Sequence, residues 1–411
     1  MHIEHLSLTN FRNYARLELS LPTNAPVVLH GANAQGKTSL LEAVYYAATA
    51  RSPYTTSDRQ LIHWRVEDDP LPFARLVADI RSGQRALTRI EITVTIERGG
   101  EANGSGRLKK SIKINGVDRR VMDMVGLLNV VLFLPQDLLL VEGTPSDRRR
   151  FIDNTLGQID ANYLLALEIY ERVLPQRNAL LRRIAERQAS PRELEYWDAQ
   201  LVEAGAIIIA GRQRFLRELE RGAQRAHHEL TGWRETLSLR YQPSFAPAAD
   251  GSGQLSFPAL GLDLSRDLDP AQIAPQFAQR LRDEQRDSIS RGVTLSGPHR
   301  DELRLSINDR DVGLYGSRGQ ARTAVMAFKL AELHWMRERT GEWPILLLDE
   351  VVAELDAQRR AYLLEQIDGA TQTLVTTTEL EIFTESFLAR AAIWHVQEGQ
   401  IVVERTPSGG D

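Results

Sequence analysis

Cysteine is absent from all 411 residues. That absence excludes a disulfide framework, a thiolate zinc site, an iron–sulfur cluster and a cysteine nucleophile. It is compatible with a reducing compartment. Long apolar runs are lacking as well. The longest, from Met124 to Val141, is broken by Asn129, Pro135, Gln136 and Asp137, whereas a bilayer-spanning helix needs ~20 mostly apolar residues. It reads as a buried strand and loop. The opening MHIEHLSLTNFRNY shows no basic segment leading into an apolar core, so no signal peptide is read there. Neither secretion nor membrane insertion is expected, and the expected location is the cytoplasm. No sustained heptad array supports an extended coiled coil, no repeat of fixed period is visible, and the nine histidines show no metal-ligand spacing. Charge of one sign does not dominate either. The net charge of −5 does not mark a nucleic-acid binder, although fifty Lys and Arg are available for local clusters.

What is present suits a soluble globular chain of two to four domains, with 42% hydrophobic and 26% charged residues. Leu17, Leu19 and Leu21 alternate as in a half-buried strand, as do Ile90, Ile92, Val94 and Ile96. Asn103 to Gly106 reads as a turn, and Asn115-Gly116 as a hairpin turn after a strand from Ser111. From Asp147 to about Trp233 the apolar spacing is helical, interrupted by Pro175 and Pro191. Residues 241–276 hold five prolines and an Asp-Gly-Ser-Gly cluster and read as an irregular insertion.

The chemistry is concentrated in a few strings. Gly31-Ala32-Asn33-Ala34-Gln35-Gly36-Lys37-Thr38 is a complete G-x-x-x-x-G-K-[ST] loop, between an apolar strand (Val27 to Leu29) and a helix that begins near Ser39. Its backbone N–H groups and the helix N-terminus suit phosphates. Lys37 would reach the outer phosphates of a nucleotide, and the Thr38 hydroxyl would hold Mg²⁺. A second strand, Ile345 to Leu348, ends in Asp349-Glu350. Asp349 is expected in the Mg²⁺ shell, and Glu350 as the general base for an attacking water. Alone, that string fits any strand ending in an acidic loop; the phosphate loop gives it meaning. Ser317-Arg318-Gly319-Gln320 precedes a helix from about Ala321 to Arg339, with Ser317 as its cap.

The order of phosphate loop, Gln136, S-x-G-Q, acidic strand end and Glu354-Leu355-Asp356 resembles the ABC-type ATPases. The strings LSLTNFRNYARLEL, FLPQDLLLVEGTPSDRRRFID, TLSGPHRDEL, GQARTAVMAFKLAE and PILLLDEVVAELD resemble the RecF family of bacterial recombinational-repair ATPases, which are SMC-like heads without a long coiled coil. The resemblance implies ATP and Mg²⁺ as cofactors, with Gly31 to Ser39 around the nucleotide and Gln136 at Mg²⁺ and the lytic water. It also implies an ATP-dependent homodimer in which Ser317, Gly319 and Gln320 of one head contact the nucleotide of the other, with Asp356 at the same interface. It further implies a slow DNA-dependent ATPase acting at gapped DNA and single-strand/double-strand junctions, with RecO and RecR as partners in recombinase loading. Two departures stand out. Where transporter-type members carry a switch histidine the sequence reads Leu374 to Glu379, leaving Thr377 as the candidate there, and Arg318 replaces the more usual neutral signature residue.

For DNA, Arg107, Lys109, Lys110, Lys113, Arg119 and Arg120 fall within fourteen residues, opposed in sequence only by Asp118. Arg148 to Arg150 and Arg177, Arg182, Arg183 and Arg187 are further candidates. Such runs serve equally as solvated charged faces; the resemblance favours backbone contacts to DNA with little sequence preference. The expected fold is α/β, an ABC-type ATPase head with mixed sheets flanked by helices and a mainly helical second lobe. Its divisions are expected at 1–146 with 291–411, and at 147–290. A transporter's nucleotide-binding subunit, and a DNA-binding scaffold using ATP only as a ligand, remain alternative readings.

Overall fold

A computed structural model of the chain describes residues 1–83, 86–97, 106–245, 268–367 and 369–406. Its strands are β1 (His2–Phe11), β2 (Tyr14–Ser20), β3 (Pro26–His30), β4 (Phe73–Arg81), β5 (Thr88–Glu97), β6 (Arg107–Ile114), β7 (Val117–Arg119) and β8 (Val130–Phe133). They continue with β9 (Leu237–Gln242), β10 (Glu302–Ile307), β11 (Arg310–Asp311), β12 (Ile345–Asp349), β13 (Thr373–Thr377), β14 (Ala392–Gln397) and β15 (Gln400–Arg405).

Two compact units divide the chain: Met1–Gln136 with Met336–Asp411, and Asp137–Trp335. The first holds two six-stranded sheets. One is antiparallel, in the order β2-β1-β4-β5-β6-β7. The other, β15-β14-β3-β13-β12-β8, is parallel except for its edge strand β15. The sequence patterns follow from these positions. β5 alternates because one face is solvated, and Ile90, Ile92, Val94 and Ile96 turn inward. β12 is apolar from Ile345 to Leu348 because parallel neighbours and both covered faces keep these residues out of water. A single apolar cluster joins residues of both sheets to Leu40, Leu41, Val44 and Ala47 of the helix Lys37–Thr49. The Asn115-Gly116 turn closes the β6–β7 hairpin with both residues at positive φ, as a two-residue hairpin requires.

The second unit is mainly helical. Pro145–Gly157 starts in a reciprocal Thr144–Asp147 capping box with proline in its first turn, and Ala161–Ala185 is capped by Asp160. The 38-residue helix Leu194–Thr231 ends at Gly232 in a left-handed conformation. A three-stranded sheet, β11-β10-β9, completes the unit.

The units divide at 136/137 and 335/336, where the sequence suggested 146/147 and 290/291. The returning strand signal after Val293 does not rejoin the first unit: β10 pairs with β9, Leu305 opposite Leu239, across sixty residues of chain. The irregular reading of 241–276 also needs correction. β9 extends to Gln242, and Pro270–Asp283 is a helix capped by Asp269. Residues 246–267 lie outside the described residues, as do three of the four residues of the expected turn at Asn103 to Gly106.

Two histidines, His227 buried and His299 half-buried, give this unit a pH signature. His227 is fully buried, and desolvation pushes its pKa down to about 4, against the attraction of Glu235. His299 is also held near 4, chiefly by burial and further by the charges of Arg300, Arg149 and Arg177. Its ring meets the Tyr170 hydroxyl at 2.7 Å and the Thr294 carbonyl at 3.2 Å, a pairing the neutral ring satisfies on both nitrogens. Both values lie below the ~6.5 of an unfolded chain, so the unfolded state binds more protons between them. Stability is therefore complete above about pH 6.5 and falls as pH drops toward 4, by about 3 kcal/mol per histidine. His227→Gln should flatten that slope in denaturant titrations across this range. An unchanged slope would remove His227 as a cause.

Candidate nucleotide-binding site

The loop from Gly31 to Gly36 leaves the C-terminal end of β3 with φ values that few residues tolerate, 145° at Gly31 and 121° at Gly36. Close packing adds a second reason for glycine at both. A Cβ on Gly31 would collide with the Val396 carbonyl oxygen, and one on Gly36 with the Asn13 side chain and the Tyr14 hydroxyl. The loop is held from outside by side chains that no nucleotide motif contains. Asn13 Nδ2 donates to the Gln35 carbonyl at 2.9 Å, and the Tyr14 hydroxyl to the Gly36 carbonyl at 3.0 Å. The Gln35 side chain accepts from the Glu398 N–H at 2.7 Å. Ala32, Asn33 and Ala34 stay exposed, and Ser39 is half-buried in the first helical turn. The helix Lys37–Thr49 has no side-chain cap and no acidic residue in that turn. Its first N–H groups and its dipole therefore suit an anionic ligand.

Lys37 is 3% exposed at its side chain. Its Nζ donates to the Gly31 carbonyl at 2.8 Å and the Ala32 carbonyl at 3.0 Å, and lies 3.4 Å from Glu350 Oε1. Asp349, at the end of β12, gathers three hydroxyls. Thr38 donates to Oδ1 at 2.9 Å, Thr376 to Oδ1 at 2.8 Å and Tyr54 to Oδ2 at 2.8 Å. A carboxylate beside a threonine hydroxyl is the hard-oxygen pair that fits Mg²⁺, which keeps most of its waters and takes few protein ligands. Glu350 has φ 56°, unusual for a residue with a side chain, and its N–H donates to the Thr376 hydroxyl at 2.9 Å. Gln136 is exposed, three residues beyond Phe133, the β8 residue in register with Leu348 of β12. It therefore lies off the same end of the sheet as Asp349.

Thr376 and Tyr54 are additions that the sequence did not single out. Thr377, which it did, is 1% exposed and closes a local turn: its hydroxyl donates to the Glu379 carbonyl at 2.8 Å and accepts the Glu379 N–H at 3.1 Å. On β13 it is Thr376 that reaches Asp349.

In the second unit, Ser317 and Gln320 form a reciprocal capping box at the start of the helix Arg318–Thr340. The Ser317 N–H donates to Gln320 Oε1 at 2.9 Å and the Gln320 N–H to Ser317 Oγ at 3.2 Å. Gln320 also donates to Glu235 at 2.8 Å, so its side chain is committed to the cap. Gly313 to Gly319 are all exposed, and nothing crowds a Cβ on Gly319 closer than 3.8 Å. In the first unit, Asp356 caps the helix Ala357–Ile367. It accepts the Arg359 N–H at 2.9 Å and pairs with the Arg359 guanidinium. These contacts, the backbone one first, hold its carboxyl below the usual range. The neighbouring Arg360 donates to the carbonyls of Val352, Leu355 and Ile382, which fixes the chain on either side of Asp356.

The basic candidates separate into different roles. On β6, Lys110 turns inward to Asp58 at 2.7 Å and the Ala50 carbonyl at 2.7 Å. Lys109 pairs with Glu97 at 3.1 Å, and Lys113 stands between Glu91 of β5 and Asp118 of β7. Arg107, Arg119 and Arg120 are exposed. Elsewhere, Arg177 is fully buried against Asp198 and Thr294, Arg148 is bidentate to Glu302, and Arg149 donates to the Asp301 carbonyl. Arg177 and Arg148 are buried and Arg149 is half-buried, each committed to a partner within the unit. Among the described residues no helix is long and apolar enough to cross a membrane.

Comparison with known proteins gives the family of the chain. Residues 2–401 match the RecF/RecN/SMC N terminal domain. The chain is 40% identical over 410 residues to the DNA replication and repair protein RecF of Chloroflexus aurantiacus, covering 98% of this chain and 99% of that one. It is 36% identical to RecF of Bacillus subtilis, covering 98% and 100%. A solved structure described as the recombination mediator protein RecF-ATPrS in the RecFOR pathway superposes with a TM-score of 0.81 at 28% identity, covering 98% of each chain. A second, described as RecF-ATP in the same pathway, gives the same values. The fold is that of an ABC-type ATPase head.

Proposed function

Because the chain belongs to the RecF family of DNA replication and repair proteins, we propose that it is a slow, DNA-dependent ATPase whose ATP-bound heads pair on gapped DNA or at single-strand/double-strand junctions. RecO and RecR are its partners in recombinase loading. The observation that carries this reading is the convergence of Lys37, Thr38, Asp349 and Glu350 at one end of one parallel sheet, from positions 311 residues apart for Thr38 and Asp349.

The residues have separable tasks. The backbone of Gly31 to Ser39 binds phosphate oxygens, and Lys37 exchanges its carbonyl partners for them. Thr38 and Asp349 hold Mg²⁺, with Gln136 as a further ligand; the ion supplies charge neutralisation on the phosphates. Thr376 and Tyr54 orient the Asp349 carboxylate. Glu350 takes the proton of the attacking water, and its Oε1 lies 3.4 Å from the Lys37 ammonium in the resting site. Ser317 and Gly319 contact the nucleotide of a second copy, and Asp356 lies at the same interface; Gln320 serves by shaping the cap. Arg107, Lys109, Lys113, Arg119 and Arg120 contact DNA phosphates, with the salt dependence such contacts carry.

Ser317→Arg tests the pairing. It places a long cation on the exposed signature, and the cap it removes is worth ~1 kcal/mol in a long helix. ATP binding by calorimetry should stay within about twofold of wild type, while the ATP-induced dimer disappears in light scattering. A variant that dimerises normally would exclude a role for Ser317 across the interface.

A further inference from the structure

Three residues with no sequence relation meet beside the phosphate loop: His30, the last residue of β3, His395 on β14 and Glu404 on the edge strand β15. The strand order β15-β14-β3 makes this possible. His395 is in register with His30 on one side and with Val402 on the other, and Glu404 is the β15 residue left unpaired where the register shifts between Ile393 and Trp394. The imidazole rings stand edge to face with centroids 4.8 Å apart. His30 Nε2 lies 2.8 Å from Glu404 Oε2, and His395 Nδ1 lies 3.5 Å from Glu404 Oε1. One donor atom from each residue falls within 4.8 Å of the others.

We propose that His30, His395 and Glu404 form a binding site for a divalent transition-metal ion of the zinc class. Two imidazole nitrogens and one carboxylate oxygen are a borderline-soft donor set. It favours Zn²⁺ over Mg²⁺ and Ca²⁺, which prefer oxygen-only shells. Zinc bonds of ~2.0–2.1 Å set tetrahedral ligands about 3.3 Å apart. The two imidazole–carboxylate separations, 2.8 and 3.5 Å, bracket that value, and one donor atom from each residue falls within 4.8 Å of the others. The side chains of His30, His395 and Glu404 are 16%, 38% and 43% exposed, which leaves an open side for water as the fourth ligand. The bland alternative is that Glu404 merely accepts a hydrogen bond from His30. That alternative gives His395 no task, although its ring nitrogen faces the same carboxylate.

The site's position gives it a consequence. His30 immediately precedes Gly31, and Val396, immediately after His395, supplies the carbonyl against which Gly31 packs. An ion here would tie β14 and β15 to β3 at the base of the phosphate loop. The site is distinct from the Asp349 cation position and does not rest on the nucleotide reading.

The test is calorimetric titration of the full, untagged, chelator-stripped chain with zinc chloride in buffer containing excess magnesium. It compares wild type with His395→Ala and with Glu404→Gln, two partly exposed positions on the outer strands. Wild type should bind one zinc ion per chain, with affinity falling about a hundredfold in each variant. The melting temperature should rise with zinc in wild type and not in either variant, since a ligand of the folded state alone stabilises it. Absence of zinc binding in the presence of magnesium, or identical titrations for wild type and both variants, would overturn the assignment.

Discussion

Lys37→Met should raise the dissociation constant for ATP by one to two orders of magnitude, measured by calorimetry with the full chain. The substitution keeps an unbranched apolar stem, one atom shorter and with sulfur for one methylene, and removes the ammonium. That group is buried, donates to two loop carbonyls and faces Glu350. Hydrogen bonds to charged partners contribute ~1.5–3 kcal/mol each, and 1.4 kcal/mol is about tenfold in affinity. The same change leaves the Gly31 and Ala32 carbonyls short of a donor and Glu350 without its cation, so a modest loss of stability should accompany it. Wild-type affinity in a folded Lys37→Met protein would contradict the assignment of the loop.

Glu350→Gln should separate binding from turnover. Glutamine keeps the size of the side chain, and the backbone N–H to Thr376 is unaffected by the change. It cannot accept a proton. A general base contributes ~10²–10⁴-fold, so steady-state phosphate release should fall by about that factor while ATP affinity is retained. The variant should accumulate as an ATP-bound dimer. Unchanged turnover would exclude Glu350 as the base.

Much of this site was legible because its motifs are local. Gly31 to Thr38 must make a turn of fixed length before a helix, and Ile345 to Glu350 must be a buried strand ending in acids, so spacing alone exposes both. The Ser317 cap was legible for the same reason. What the sequence missed depends on tertiary pairing. Tyr54 reaches Asp349 from 295 residues away, and Asn13 supports the loop from the β1–β2 turn. Neither belongs to a spacing pattern. Thr376 and Thr377 are adjacent and chemically identical; only the pleat of β13 decides which hydroxyl faces Asp349. One residue of the basic cluster was hidden in the same way. Lys110 looked free because Asp58, which neutralises it, is remote in sequence. The His30, His395 and Glu404 group was invisible for that reason too, since strand order and not spacing assembles it. The lobe boundary was misplaced because strand signals carry no sheet membership: β10 reads like any returning strand until its partner β9 is known.

The central claim is that ATP controls the pairing of heads on DNA. Size-exclusion chromatography with light scattering, on the chain alone, with ATP, and with ATP and a gapped duplex, tests it most directly. ATP-driven pairing predicts a 46.3 kDa species without nucleotide, twice that mass with ATP, and co-elution of the dimer with gapped DNA. A mass that stays at 46.3 kDa with ATP and DNA present, or that is doubled whether or not ATP is added, would contradict it.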